Sequence, residues 1–239
     1  MPHHQRHRGK HPQDDQLFGP QALEPLRAAV SDLCWLWSRG YAETSSLKLV
    51  GDRYKLTARQ RKAVCSAACS GESLLKRSER QFDLPLQSGR GFAIDGYNLL
   101  ITIESMLSGG VLIRGVDGCI RDLAGIHGTY HKVEETLPAL KLIGEHLNLA
   151  GIESAEWLLD APVSNSGQLR EYMLELAAAE NWDWQARLEN NPDRVLAESG
   201  QVVISADSGI LDRCAGWFNL TEFIICHINY EIEILNLAE

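Results

Sequence analysis

The sequence predicts an α/β protein: a parallel sheet flanked by helices, preceded by a small helical region. Two observations predict it. Short apolar runs recur through the last two-thirds of the chain and stop at carboxylates, with FAID ending at Asp95, EWLLD at Asp160 and VVISAD at Asp207. Segments of helical periodicity separate these runs, so right-handed crossovers make the strands parallel and bring their ends to one edge. In open α/β sheets that edge is where ligands bind.

Composition bounds the reading. The chain has 239 residues, 44% hydrophobic and 23% charged, enough to bury a full core. No apolar run approaches the roughly 20 residues that span a bilayer. The N-terminus is polar and basic, without a signal-peptide pattern, so a cytoplasmic protein with no membrane contact is expected. Six scattered cysteines are expected to be reduced core thiols. Cys65 and Cys69 lack a second Cys/His pair nearby, which argues against zinc. The net charge of −9 hides an asymmetry: residues 52–90 carry nine basic and four acidic side chains, residues 91–239 eight and 23. A basic surface beside an acidic site suits an enzyme that holds a polyanion and metal ions. Most of the acids must nevertheless be solvated helix faces.

Taken in order, residues 1–16 lack apolar periodicity and read as a disordered tail. Residues 20–37 read as a helix, with apolar positions spaced by three and four and Gly40 as its stop. Residues 45–50 read as extended. Thr57 is a candidate N-cap, and the helix after it carries Val64, Ala67, Ala68 and Leu75 further along. Arg59, Arg61 and Lys62 near its start oppose the helix dipole, which suits either a solvated basic face or phosphate contacts. Residues 17–88 thus form a helical domain, with the connecting loop at 83–91, and residues 89–239 the α/β domain.

GFAIDGYNLL, at 91–100, is the centre of the second part. Asp95 is either a strand-end helix cap or a functional acid. Gly96 permits a sharp turn, and Asn98 can hold the carboxylate or a water. Residues 99–106 fit strand or helix. Residues 111–113 read as one strand of a hairpin, with a turn at Asp117-Gly118. Asp117, Arg121 and Asp122 follow, with the two acids able to reach the cleft of Asp95. His127 and His131, flanked by glycines, suit nucleic-acid binding or packing better than a rigid metal pair. Residues 136–148 read as an amphipathic helix. After Asp160, Ser164 or Ser166 caps a helix whose N-terminus is either simply capped or a phosphate site. Residues 182–188 read as a third strand. Asn191 and Pro192 start a helix with Asp193 in its first turn. Ser208 caps a helix through Cys214 that carries Asp212, and residues 221–228 read as a fifth strand.

Asp95, Asp160, Asp193 and Asp207 then gather at one edge. Packed carboxylates resist ionisation unless cations sit among them, and one or two Mg²⁺ or Mn²⁺ ions with oxygen ligands is the economical explanation. Asp212 is a further metal candidate, Asp117 and Asp122 are supporting acids, and Asn98 is a helper. Ser164, Ser166, Arg59, Arg61, Lys62 and Arg121 are the phosphate- or RNA-binding candidates. A haloacid-dehalogenase-type site needs a second Asp two residues after the first, where this chain has Tyr97. The G-x-G-x-x-G of a dinucleotide site is absent.

IDGYNLL, LLDAP, NPDRVL and VVISADSGI, in this order over residues 91–226, resemble the acid-bearing segments of PIN-like, NYN-type (YacP-like) nucleases. The whole chain resembles a family described only as a domain of unknown function, with a helical N-terminal part. The resemblance implies a three-layer α/β/α domain with a five-stranded parallel sheet of order 3-2-1-4-5. It further implies Mg²⁺- or Mn²⁺-dependent ribonuclease action on RNA. The alternative is a catalytically silent RNA-binding or adaptor module on the same fold. RNA is the expected partner, and a homodimer is left open.

Overall fold

A computed structural model describes residues 7–84, 90–125 and 128–238. His127 and most of the expected interdomain loop lie outside them. The helical part comprises α1 (Asp14–Leu17), α2 (Pro20–Trp37), α3 (Glu43–Arg53), α4 (Ala58–Ala67) and α5 (Gly71–Arg80). Thr57 closes a capping box with Gln60 at the start of α4. Two expectations change here. Residues 45–50 are helical within α3, because Ser46 and Val50 bury one side of a turn. The long helix after Thr57 is two, since Ser70 starts α5 as a fresh N-cap on Ser73 N–H.

The expected disordered tail also differs. Its described part, residues 7–16, packs on the fold, with Arg8 and Asp14 buried. Asp14 accepts from Arg59, and Arg8 donates to Glu104. The segment lacks apolar side chains and is held by buried ion pairs instead, which no periodicity search detects.

The α/β part runs β1 (Phe92–Asp95), α6 (Gly96–Leu107), β2 (Leu112–Arg114), β3 (Ile120–Asp122), α7 (Thr136–Leu149), β4 (Ser154–Asp160), α8 (Ser166–Glu180), β5 (Asp183–Glu189), α9 (Pro192–Ala197), β6 (Val202–Ile204), α10 (Ser208–Leu211), α11 (Leu220–His227) and β7 (Ile234–Asn236). The main sheet is parallel, with order β5-β4-β1-β6. Ile94, Trp157, Leu159 and Ile204 sit in its largest apolar core with α6 and α7. The tryptophans in and just before the edge strand explain the unusual composition there: Trp184 packs on Trp157, ring centroids 4.9 Å apart, and Trp182 covers Gly144 of α7.

The fifth strand of the expected 3-2-1-4-5 order is absent among the described residues. Residues 220–227 form α11, because the Asn219 side chain accepts from Glu222 N–H and starts a helix that buries Leu220, Thr221 and Ile224. Beside β6, where a fifth strand would pair, the described residues show an isolated parallel bridge from Val203 to Trp217. A second sheet, ordered β3-β2-β7, contains the hairpin expected around Asp117-Gly118. Ile113, Leu123 and Leu237 of this region share an apolar cluster with α2 and α4, joining it to the helical part.

Among the described residues no helix is long and apolar enough to cross a membrane. All six cysteines are free thiols.

Gly96 shows how tightly β1 and α6 are joined. A Cβ there would lie 2.9 Å from the Leu158 carbonyl oxygen and 2.5 Å from Leu159 Cδ2. Gly96→Ala is therefore expected to lower unfolding free energy by about 1–3 kcal/mol, read by urea denaturation against wild type.

Candidate active site at the sheet edge

The site is built from successive β-to-α junctions. Asp95 ends β1 and caps α6, accepting from Asn98 N–H; its other oxygen accepts from the Ser205 hydroxyl at 2.8 Å. Ser205 in turn accepts from Asp207 N–H at 3.0 Å, and Asp207 caps α10 through Ile210 N–H at 3.0 Å. Asn98 Oδ1 accepts from Ala206 N–H at 2.8 Å, tying the start of α6 to the end of β6. Asp95 is therefore a helix cap whose second oxygen is tied to the end of β6. Asp207, rather than Ser208, is the N-cap of α10.

The acids feel one another. Burial pushes the Asp95 carboxyl up to about 7, and the Asp207 and Asp193 charges add to the rise against the Ser205 hydrogen bond. Asp160 is raised by burial and by Asp193. Asp193 is raised by burial and by Asp207. Asp95, Asp160, Asp193 and Asp207 thus form one electrostatic neighbourhood from four different segments. Among the described residues, however, no three His, Cys, Asp or Glu side chains stand together closely enough to hold a metal ion as they lie.

A cleft of about 520 Å³ opens beside them, lined by Asp160, Asp207, Asn98, Arg121 and Asp122, with Cys65 and Ser66 contributed by the helical part. Asp95 itself is 7% exposed. Asp122 is held by the Thr102 hydroxyl at 2.8 Å, and burial raises its carboxyl above the usual range despite that bond and the Lys62 charge.

Other expected site residues are committed elsewhere. Asp212 accepts from Arg77 Nε at 2.7 Å and from the Ser73 hydroxyl at 3.3 Å, which removes it from the acid group. Asp117 is gripped by both nitrogens of Arg121, at 2.9 and 2.6 Å, and also by Arg77. Burial alone would raise Asp117, but these two guanidiniums outweigh it and hold it low. Arg121 also donates to the Ala206 and Ser66 carbonyls, fixing the hairpin against β6 and α4.

The basic helices are similarly occupied. Arg59 pairs with Asp14, Arg61 with Asp52, and Lys62 donates to the Leu123 and Ala124 carbonyls. The positive excess of this part is therefore largely spent on internal partners. At the start of α8 neither serine caps the helix by its side chain. Asn165 occupies the cap position in a left-handed conformation (φ 71°), and its amide donates to the Tyr130 carbonyl. The buried Ser166 hydroxyl lies 3.5 Å from the Ala161 carbonyl. His131 contributes its backbone carbonyl to Arg8.

Sequence reasoning missed Ser205, whose hydroxyl links two of the acids. Its signal was the Ser two residues before Asp207, facing Asp95 across adjacent parallel strands.

These features define an α/β protein with a carboxylate cluster at the open edge of a parallel sheet. Residues 87–223 match the family described as "Domain of unknown function (DUF5616)", and the chain belongs to that family. Residues 25–80 match a second, "Protein of unknown function (DUF434)". The chain is 28% identical over 186 residues to an uncharacterised protein of Methanocaldococcus jannaschii, covering 78% of this chain and 88% of that one. No solved structure matches the chain.

Proposed function

We propose that this protein hydrolyses RNA phosphodiester bonds with a divalent metal ion, as a PIN-like, NYN-type ribonuclease. One observation carries the reading: Asp95, Asp160, Asp193 and Asp207 come from four different junctions, burial and neighbouring acids raise the carboxyls of Asp95, Asp160 and Asp193, and Asp160 and Asp207 line a cleft. A buried carboxylate such as Asp95, with like charges near it, is costly to ionise without a cation. The donor set is all oxygen, which fits Mg²⁺ or Mn²⁺ and not a soft metal. Asp95, Asp160, Asp193 and Asp207 are the residues that would hold it. Such an ion activates water and stabilises a leaving oxygen. Ser205 fixes the Asp95 carboxyl and Asn98 fixes the Ala206 backbone, so these two would orient the groups that hold the ion. With Arg59 and Arg61 paired internally, RNA contacts fall to other groups along the cleft.

The test is cleavage of a mixed RNA pool with Mn²⁺. Wild type is expected to cut, and Asp95→Asn to cut roughly 100-fold more slowly or less. Equal cleavage by both sinks the catalytic assignment.

A second reading, a silent RNA-binding or adaptor module, is favoured by the lack of three ready-placed metal-ligating side chains among the described residues. Absence of any metal-dependent cleavage of RNA or DNA would support it.

A further inference from the structure

A second cleft, of about 380 Å³, lies between the helical part and the small sheet and shares no lining residue with the acid site. Its volume is in the ordinary range for ligand sites. Phe18, Leu23, Val111 and Leu235 give it apolar walls. One side is β7, which pairs with β2 alone and is therefore an edge strand. The Leu237 N–H points at β2, where it reaches the Arg114 carbonyl. Backbone groups alternate sides along a strand, so those of Asn236 and Ile234 point the other way, out of the sheet. The Asn236 carbonyl accepts there from Arg27 Nε at 3.0 Å. The N–H groups of Ile234 and Asn236 have no partner among the described residues, and both residues line the cleft. Arg27 also lines it and is partly exposed. Its other guanidinium N–H groups meet no carboxylate or carbonyl among the described residues. Just before the start of β7, the exposed Glu233 shares one cation, Lys10, with the exposed Asp15.

We propose that this cleft binds the C-terminal tail of another protein as a strand added to β7, with Arg27 holding the terminal carboxylate. An unpaired strand edge recruits extended backbone, and alternate side chains then supply specificity. A guanidinium with spare N–H groups is the planar, two-pronged partner of a carboxylate. A free C-terminus brings both the backbone and the carboxylate, whereas an internal segment brings only the first. Leu23 stands one turn before Arg27 on α2 and puts apolar surface beside the guanidinium, which suits an apolar last side chain. Arg27 is bonded at the Asn236 end of β7, and Glu233 precedes the other end. The tail therefore runs parallel to β7, and the residue three positions before its end lies near Glu233. Glu233 and Asp15 together outnumber Lys10 there, so that residue is Lys or Arg.

The experiment is fluorescence-anisotropy titration of the full chain with labelled hexapeptides Ser-Gly-Lys-Ser-Thr-X. X is Val, Leu, Ile or Phe, and each peptide is made as the free acid and as the C-terminal amide. At least one free acid is expected to bind, and its amide roughly ten-fold more weakly. Arg27→Met keeps the apolar stem, drops the donors and should abolish that difference. Changing the peptide's Lys to Glu should weaken binding several-fold, and Glu233→Lys in the protein should reverse this preference. Glu233 is exposed, so the second variant remains informative if Arg27→Met does not fold. Hydrogen exchange at the Ile234 and Asn236 amides should slow in the complex, as strand addition requires. N-Acetyl-leucine, a carboxylate without the strand, should bind roughly ten-fold more weakly than the best peptide. The proposal is overturned by no binding of any free acid, by equal binding of acids and amides, or by an undiminished acid preference in folded Arg27→Met. An unchanged charge preference in Glu233→Lys, unaltered exchange at the two amides, or N-acetyl-leucine binding as tightly as the peptides overturns it equally.

Discussion

Asp95→Asn is expected to raise the stability of the metal-free protein at pH 8 and to change it little at pH 4. Burial and the neighbouring acids push the folded-state carboxyl to about 7, whereas an unfolded Asp titrates near 3.9. Between those values the native state holds a proton that the unfolded chain has released. Unfolding free energy therefore falls as pH rises through this window. The loss is on the order of 4 kcal/mol once both states are ionised. Asparagine fits the same space, and its amide oxygen can still accept from Asn98 N–H. Its NH₂ can donate to Ser205, which already accepts from Asp207 N–H and has a second lone pair. The variant thus removes the charge and keeps the cap. Urea denaturation from pH 4 to pH 8 in EDTA should give a steep decline for wild type and a shallower one for the variant. Asp160 and Asp193, both raised, leave the variant a residual slope. Parallel declines for the two proteins would show that Asp95 is not the group responsible. If the acids hold a cation, Mn²⁺ should stabilise wild type more at pH 8 than at pH 5, since the ion competes with the proton.

The acids at this edge were legible because strand ends are local events. An apolar run that stops at Asp, or an Asn-Pro pair that starts a helix, is visible in a few residues, and Asp95, Asp160, Asp193 and Asp207 all have that form. Partnerships between distant segments are not visible in this way. Nothing near Asp212 announces Arg77, 135 positions away, and nothing near Arg59 announces Asp14. The charge surplus of residues 52–90 therefore looked available for phosphate when it is mostly spent inside the molecule. The lost fifth strand is a contest between propensities. EFIIC is rich in strand-forming side chains, but the Asn219 cap and the burial of Leu220, Thr221 and Ile224 along one helical face prevail. One buried acid did leave a trace. Glu104 is the one charge in LLITIESML, a run otherwise uncharged and mostly apolar, and a charge in such a buried helix needs a partner.

That partner is Arg8, and removing it is expected to be among the most destabilising single changes in the chain. Glu104 is fully buried at 0% exposure and accepts from Arg8 Nε at 2.8 Å, the Tyr130 hydroxyl at 2.6 Å and the Thr136 hydroxyl at 2.5 Å. Arg8 also donates to the His131 carbonyl and lies 5.2 Å from the centre of the Tyr130 ring. Arg8→Ala leaves the Glu104 carboxylate buried without its counter-charge, which costs about 3–5 kcal/mol. Deleting residues 1–10 should cost at least as much, although by sequence those residues look dispensable. Both are measured by urea denaturation at pH 7. Replacing the pair together, Arg8→Met with Glu104→Met, removes both charges. Tyr130 can then turn its hydroxyl to Thr136, 3.0 Å away. The double variant should recover most of the loss, because a buried ion pair contributes less than the penalty of leaving one member alone. A truncated protein as stable as the full chain would show that Glu104 tolerates its burial without Arg8. Destabilisation by Arg8→Ala that the double variant fails to relieve would trace the cost to packing of the arginine side chain and not to the stranded charge.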